Sequence, residues 1–165
     1  MWETTSCRMR AELPTALRRA RTPRRRIASD AMGVRGIHHL GVAVRDLDDA
    51  LATYDRLFGA TVEHRAAVPE QGVEAAAVLV GSGRVELLAP IGDDTPVGRF
   101  LASRGPGMHH VAYEVEDVGE ELERLAASGA LLIDERPRSG LFGLEVAFVH
   151  PDAVHGVLSE VVAGG

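Results

Sequence analysis

Two stretches of this chain repeat one another in their order of apolar and polar positions. Gly36-Ile-His-His-Leu-Gly-Val-Ala-Val-Arg-Asp-Leu matches Gly107-Met-His-His-Val-Ala-Tyr-Glu-Val-Glu-Asp-Val at an offset of 71 residues. At the same offset, Gly72-Val-Glu-Ala-Ala-Ala-Val matches Gly143-Leu-Glu-Val-Ala-Phe-Val. Two separate matches at one offset mark a duplication, with units at 37–90 and 108–162 joined by 91–106. Each unit opens on a strand, 37–44 and 108–115, with Ile, Val and Leu at alternating positions. Asp46 and Asp117 then predict helix N-caps, and Asp117 with Glu120 has the spacing of a capping box. Leu47, Leu51, Tyr54, Leu57 and Phe58 follow at helical spacing, as do Val118, Leu122 and Leu125. Gly59 and Gly129 end these helices. Three shorter strands complete each unit, at about 61–68, 73–80 and 84–89 and at about 131–135, 143–149 and 156–162. The expected fold class is α+β, two tandem βαβββ modules. A four-stranded sheet with a helix on one face leaves its other face bare. The two modules therefore form one curved mixed sheet around a cleft.

Composition narrows the classes. The chain has 165 residues, 45% apolar and 25% charged, enough for one ordinary domain with a real core. Cys7 stands alone, which excludes an internal disulfide and a thiolate metal site. No apolar run approaches the roughly 18 residues of a membrane span, so no membrane partner is expected. The net charge of −6 is unevenly spread. Residues 1–35 hold nine Arg against Glu3, Glu12 and Asp30, a balance of +6, which leaves −12 on 36–165. An acidic folded part argues against binding a phosphate backbone, so no nucleic-acid partner is expected. The Arg-rich segment 1–35 lacks the continuous apolar run of a secretory signal. It reads as a disordered extension or as an upstream start with Met32 the true one, and an organelle transit peptide is the alternative. A cytoplasmic location is otherwise expected.

Alternation places candidate chemistry in the cleft. In the first strand Ile37, His39, Gly41 and Ala43 share one face, while His38, Leu40, Val42 and Val44 form a bulky face suited to the helix. His39 thus points into the cleft beside the smallest side chains, and His110 with Ala112 repeats the arrangement. Each unit's last strand carries one carboxylate in an apolar run, Glu86 and Glu160, which would be costly to bury unpaired. Two His and two Glu make an N₂O₂ set for one divalent ion per chain. Co²⁺, Mn²⁺, Zn²⁺, Ni²⁺, Fe²⁺ and Mg²⁺ all suit it and leave positions open for water or a chelating substrate. A lone buried His is usually a hydrogen-bonded core residue. Here each feature occurs twice in one register, which favours the metal site. His38 and His109 read as structural, and His64, His150 and His155 have no repeated partner. Glu74 and Glu145 also repeat and suit solvated strand faces.

These residues resemble the vicinal oxygen chelate superfamily, and within it the methylmalonyl-CoA epimerase family. The resemblance spans 36–163, the expected domain. It rests on Ile37-His-His-Leu-Gly-Val-Ala-Val, Pro69-Glu-Gln-Gly-Val, Val85-Glu-Leu-Leu-Ala-Pro, Asp94-Thr-Pro-Val-Gly-Arg-Phe-Leu, Gly107-Met-His-His-Val-Ala and Gly156-Val-Leu-Ser-Glu. It implies a homodimeric, metal-dependent epimerase that interconverts (2R)- and (2S)-methylmalonyl-CoA by proton transfer at C2. His39, Glu86, His110 and Glu160 would hold the metal, and Glu160 would also move a proton. The family often has Gln where Glu86 stands. Some members carry a second catalytic Glu where this chain has Ala75. Glu74, beside it, is the candidate for that second role, with Glu70 and a bound water as alternatives. A Lys common after the second His-Pro is replaced by Asp152, so an Arg is expected to help hold the anionic substrate. A glyoxalase I-like isomerase, an extradiol dioxygenase and a non-catalytic binding protein of the same fold are the competing readings.

Overall fold

The computed structural model describes residues 33–164. The reading of the Arg-rich segment falls almost wholly on residues 1–32, outside the described ones. The first unit comprises β1 (Gly36–Ala43), α1 (Leu47–Phe58), β2 (Thr61–Val68), β3 (Val73–Val80) and β4 (Gly83–Pro90). Helix α2 (Pro96–Arg104) follows, and then β5 (Gly107–Glu114), α3 (Val118–Ala127), β6 (Arg138–Ser139), β7 (Glu145–Val149) and β8 (Ser159–Ala163). The strands form one curled mixed sheet in the order β2-β3-β4-β1-β5-β8-β7-β6. β1 is antiparallel to β5 at the centre, and each is parallel to the last strand of its own unit, β4 or β8. The α+β half-barrel expected from the repeat is the observed architecture.

Local chemistry explains the helices. The Asp46 carboxylate accepts from Asp49 N at 2.9 Å and Asp117 from Glu120 N at 2.8 Å, each satisfying a free donor of the first turn. Gly59 ends α1 in the left-handed conformation at φ 62°. Leu47 and Ala50 of α1 pack on Ala76, Val78, Leu87 and Ala89, while Val118 and Leu122 of α3 pack on Ala147, Val161 and Ala163. Each unit's helix thus covers the convex face of its own half-sheet.

Three expectations needed correction. The stretch 91–106, read as a connection, contains α2. Thr95 caps it by accepting from Gly98 N at 3.1 Å, and Pro96 opens it. Val97 and Leu101 pack with Ala43, Val73, Ala75, Leu88 and Leu141, filling one end of the concave face. The strand expected at 131–135 is reduced to a single bridge, Leu132 to Val149, with β6 only two residues long. The second unit instead spends 128–144 on an irregular loop. It passes through a tight turn at Leu141–Gly143, where Phe142 takes a left-handed φ of 59°. β8 also begins at Ser159, later than alternation suggested, because a turn at Pro151–Val154 and an extended link occupy the residues before it.

Candidate metal centre and substrate cleft

The two central strands are each bulged once. Between β1 and β5 the register skips His38 on one side and His109 on the other. A bulge re-aims the side chains after it, and here those are His39 and His110. The skipped residues become neighbours of the pair: His38 Nδ1 lies 2.8 Å from His39 Nδ1, and His109 Nδ1 lies 3.0 Å from His110 Nδ1. Strict alternation had put His38 on the helix face; the bulge places it beside His39 instead. Each bulged His occupies the outer nitrogen of its neighbour, which fixes the ring and leaves Nε2 facing inward.

The register also explains the small residues. Gly41 of β1 lies opposite His110 of β5 and beside Glu86 of β4, while Ala112 lies opposite His39 and beside Glu160 of β8. A Cβ on Gly41 would stand 2.2 Å from His110 Cε1. The glycine makes room for the imidazole itself, so that the ring can lie across the strand toward Glu86.

The four expected residues meet at one point. His39 Nε2 and His110 Nε2 are 3.1 Å apart. Glu160 Oε2 lies 3.2 and 3.4 Å from these two nitrogens, and Glu86 Oε2 lies 3.4 and 3.6 Å from them. All four side chains are buried. Atoms about 2.1 Å from a common cation stand about 3.0 Å apart at right angles and about 3.4 Å apart at the tetrahedral angle. The spacings among His39, His110 and Glu160 fall in that range, and Glu86 Oε2, at 3.4 and 3.6 Å from the two imidazoles, reaches its outer edge. His39, His110 and Glu160 form the tightest group, their ligand atoms all within 4.8 Å of one another, and Glu86 approaches both imidazoles. Glu160 Oε2 is buried without a hydrogen-bond partner. A carboxylate oxygen so placed would be costly without positive charge. The donor set therefore fits a divalent cation.

Electrostatics without a cation shows how tightly the groups are coupled. Burial pushes the Glu160 carboxyl up, but the imidazoles of His110 and His39 outweigh it and hold it at about 2. Burial likewise pushes His39 down, but Glu160 and Glu86 outweigh it and lift the imidazole to about 9. His109, buried beside His110, is pulled down to about 4.

Glu74, by contrast, does not join the cluster. It projects from the other face of β3, where it accepts from Arg65 Nε at 2.8 Å, and Arg65 also donates to Asp48 at 2.6 Å. Ala75 faces the cleft side, fully buried in one cluster with Leu141. The structure thus does not bring Glu74, expected as a proton-transfer group, to the cleft lining. Glu70 lines the cleft.

The cleft is a cavity of about 340 Å³ lined by residues of both units. Its walls include residues that sequence reasoning missed: Arg138, Leu144, Val146 and Phe148 from the second unit, and Thr95 and Val97 at the start of α2. Alternation of Val146 and Phe148 was visible in the sequence, but which face was inward depended on the pairing of β7 with β8. His64, unassigned from sequence, packs on Phe142 at 4.6 Å between ring centres. His150 accepts from Asp152 N at 3.1 Å and so caps a turn.

Comparison with known proteins places this architecture. Residues 38–148 match the model of the Glyoxalase/Bleomycin resistance protein/Dioxygenase superfamily. The chain belongs to that superfamily. Its curated relatives within it include the mitochondrial methylmalonyl-CoA epimerase of Dictyostelium discoideum, 33% identical over 131 residues, 79% of each chain. Another is the ethylmalonyl-CoA/methylmalonyl-CoA epimerase of Cereibacter sphaeroides, 35% identical over 127 residues, 76% of this chain and 95% of that one. A solved structure of a variant of the Streptomyces coelicolor methylmalonyl-CoA epimerase, in complex with 2-nitronate-propionyl-CoA, is similar at a TM-score of 0.77 and 33% identity. The match covers 81% of this chain and 99% of that one.

Proposed function

We propose that this protein is a metal-dependent methylmalonyl-CoA epimerase that interconverts the 2R and 2S thioesters by moving the proton at C2. The observation that carries the reading is the convergence of His39, His110 and Glu160, with Glu86 beside them, on one buried point in the wall of a cavity of acyl-group size. The epimerase names of the relatives support it. The proton at C2 lies between a thioester and a carboxylate, so its removal leaves an enolate. A divalent cation held by His39, His110, Glu86 and Glu160 would supply charge that stabilises this enolate. The mixed nitrogen and oxygen donors suit Co²⁺ or another first-row ion such as Mn²⁺, Zn²⁺ or Ni²⁺, with Mg²⁺ a further candidate.

Glu160 serves one face of C2, removing the proton in one direction of the reaction and delivering one in the other, while the new proton or the departing one is handled on the opposite face. A carboxylate has two oxygens, so one would be free for substrate while the other helps hold the cation. His38 and His109 hold the two imidazoles in orientation. Leu141, Leu144, Val146 and Phe148 line the cleft and exclude water from the carbanion. Glu70 is the remaining acidic residue on the cleft lining and takes the place given to Glu74 as candidate for the opposite proton-transfer group. The same reading assigns 36–163 as the functional domain, with units at 37–90 and 108–162, and a homodimer as the working assembly. A cytoplasmic location belongs to it as well: the Cereibacter sphaeroides relative is bacterial, and no helix among the described residues is long and apolar enough to cross a membrane.

The test is solvent deuterium exchange into C2 of (2R)- and (2S)-methylmalonyl-CoA, run beside metal analysis of the purified protein. Exchange into both epimers by a metal-containing protein is expected. Turnover of methylglyoxal with glutathione and no exchange at C2 would overturn the proposal in favour of a glyoxalase activity. Substrate binding with neither reaction would leave a binding protein.

A further inference from the structure

Apart from the cation that its own carboxylates would hold, the cleft offers little positive charge to an anion. Among the described residues its lining carries three carboxylates, Glu70, Glu86 and Glu160, and a single guanidinium, Arg138. Arg138 belongs to β6, the two-residue remnant of a strand in the second unit. Its placement is built from several sides. Asp134 Oδ2 accepts from Phe148 N at 2.8 Å and lies 3.2 Å from Arg138 Nε. The guanidinium carbon sits over the Phe148 ring, 5.1 Å from its centre. Phe148 in turn meets the His110 ring at 5.6 Å between centres. Arg138 is thus one aromatic ring away from the metal centre. Its Nε faces Asp134, while its terminal nitrogens have no hydrogen-bond partner among the described residues.

We propose that Arg138 binds the free carboxylate of the 2-substituted malonyl thioester, orienting C2 toward Glu160. The inference rests on the epimerase reading above and adds to it a residue that selects acyl groups bearing a carboxylate. The edge formed by the two terminal nitrogens of a planar guanidinium matches a carboxylate in a two-point contact. The coenzyme's phosphates are a poorer match, because the whole pantetheine arm separates them from the thioester. The Asp134 and Phe148 contacts hold the guanidinium in place before substrate arrives, which lowers the entropy cost of the contact.

The test compares two ligands that differ by that carboxylate, methylmalonyl-CoA and propionyl-CoA, by titration calorimetry on the full chain. Wild type, Arg138→Lys and Arg138→Ala are measured. Arg138→Ala is expected to weaken methylmalonyl-CoA by about 10- to 100-fold, the worth of a charged hydrogen-bonded contact, and to leave propionyl-CoA unchanged. Arg138→Lys should recover part of the loss. Unchanged propionyl-CoA affinity also shows that the variant is folded. Equal weakening of both ligands, or of neither, overturns the assignment. A wild-type protein that does not prefer methylmalonyl-CoA over propionyl-CoA overturns instead the epimerase reading on which the assignment rests.

Discussion

The first and second units match in the strands that carry the four convergent side chains and in their capped helices, and differ in their outer strands. β1 with β4 and β5 with β8 repeat each other down to the bulge, the small residue and the carboxylate. Outside those strands the first unit keeps a full hairpin, β2 and β3 of eight residues each, while the second has two residues of β6 and a long loop. The difference shows what constrains each part. Four side chains brought together at one buried point demand close agreement between the copies. The outer strands only have to cover a face, and one copy has been opened to carry Arg138 and Leu141 over the cleft.

The largest effect expected tests the shared part. Glu160→Gln should slow deuterium exchange at C2 by about a thousandfold, since it removes a proton-transfer group. Exchange at the normal rate would remove Glu160 from the mechanism. His39→Ala and His110→Ala should each weaken metal binding by at least about 100-fold, more than the usual loss of an outer-shell partner, and by similar factors. Metal content after dialysis against graded chelator reads this directly, and a large inequality would break the symmetry of the centre.

Packing changes are smaller and separate the two units. Leu141→Ala should cost about 2–4 kcal/mol in denaturant unfolding, because this loop residue is buried in a cluster with first-unit side chains. Gly41→Ala should cost about 1–3 kcal/mol and loosen metal binding, since the new methyl meets the His110 ring. The equivalent change in the other unit, Ala112→Gly, removes atoms instead and should cost only about 0.5–1 kcal/mol. Similar losses at the two positions would mean that Gly41 is not shaped around His110.

The pH dependence of the metal-free protein bears on the same paired side chains. His109, pulled to about 4 in the fold, stabilises it above the ordinary histidine value near 6.5, and that contribution is lost as pH falls through 4. His39, lifted to about 9, stabilises it below 6.5, and that contribution is lost as pH rises through 9. Glu160, held at about 2, contributes above 4.5 and loses its contribution as pH falls toward 2. Stability should therefore peak near pH 6.5, as read from urea midpoints across pH 4–10. Metal binding should flatten the alkaline side, because a bound His39 no longer exchanges its proton.

How much of this was legible in the chain differs from residue to residue. His39, His110, Glu86 and Glu160 could be singled out because each signal is local and occurs twice: period-2 alternation, a small neighbour, a carboxylate in an apolar strand. The caps at Asp46 and Asp117 were legible for the same reason. Glu74 carried two readings, a solvated strand face and a proton-transfer role, and its face depends on how β3 pairs with β2 and β4, since a shift of one residue would turn it inward. Arg138 gave no signal in a loop without period. The start of α2 at Thr95-Pro96 carries a readable cap, a Thr followed by Pro at the first helical position.

By itself, then, the amino-acid order determined the duplicated architecture and the identities of the four converging donors, since both follow from short-range periodicity repeated at a fixed spacing. Only the tertiary structure decided the bulges at His38 and His109, the space Gly41 leaves for a ring 69 residues away, and the side of the sheet to which Glu74 belongs. Those depend on the registers between distant strands, and a register is set by the packing of whole faces rather than by any one residue.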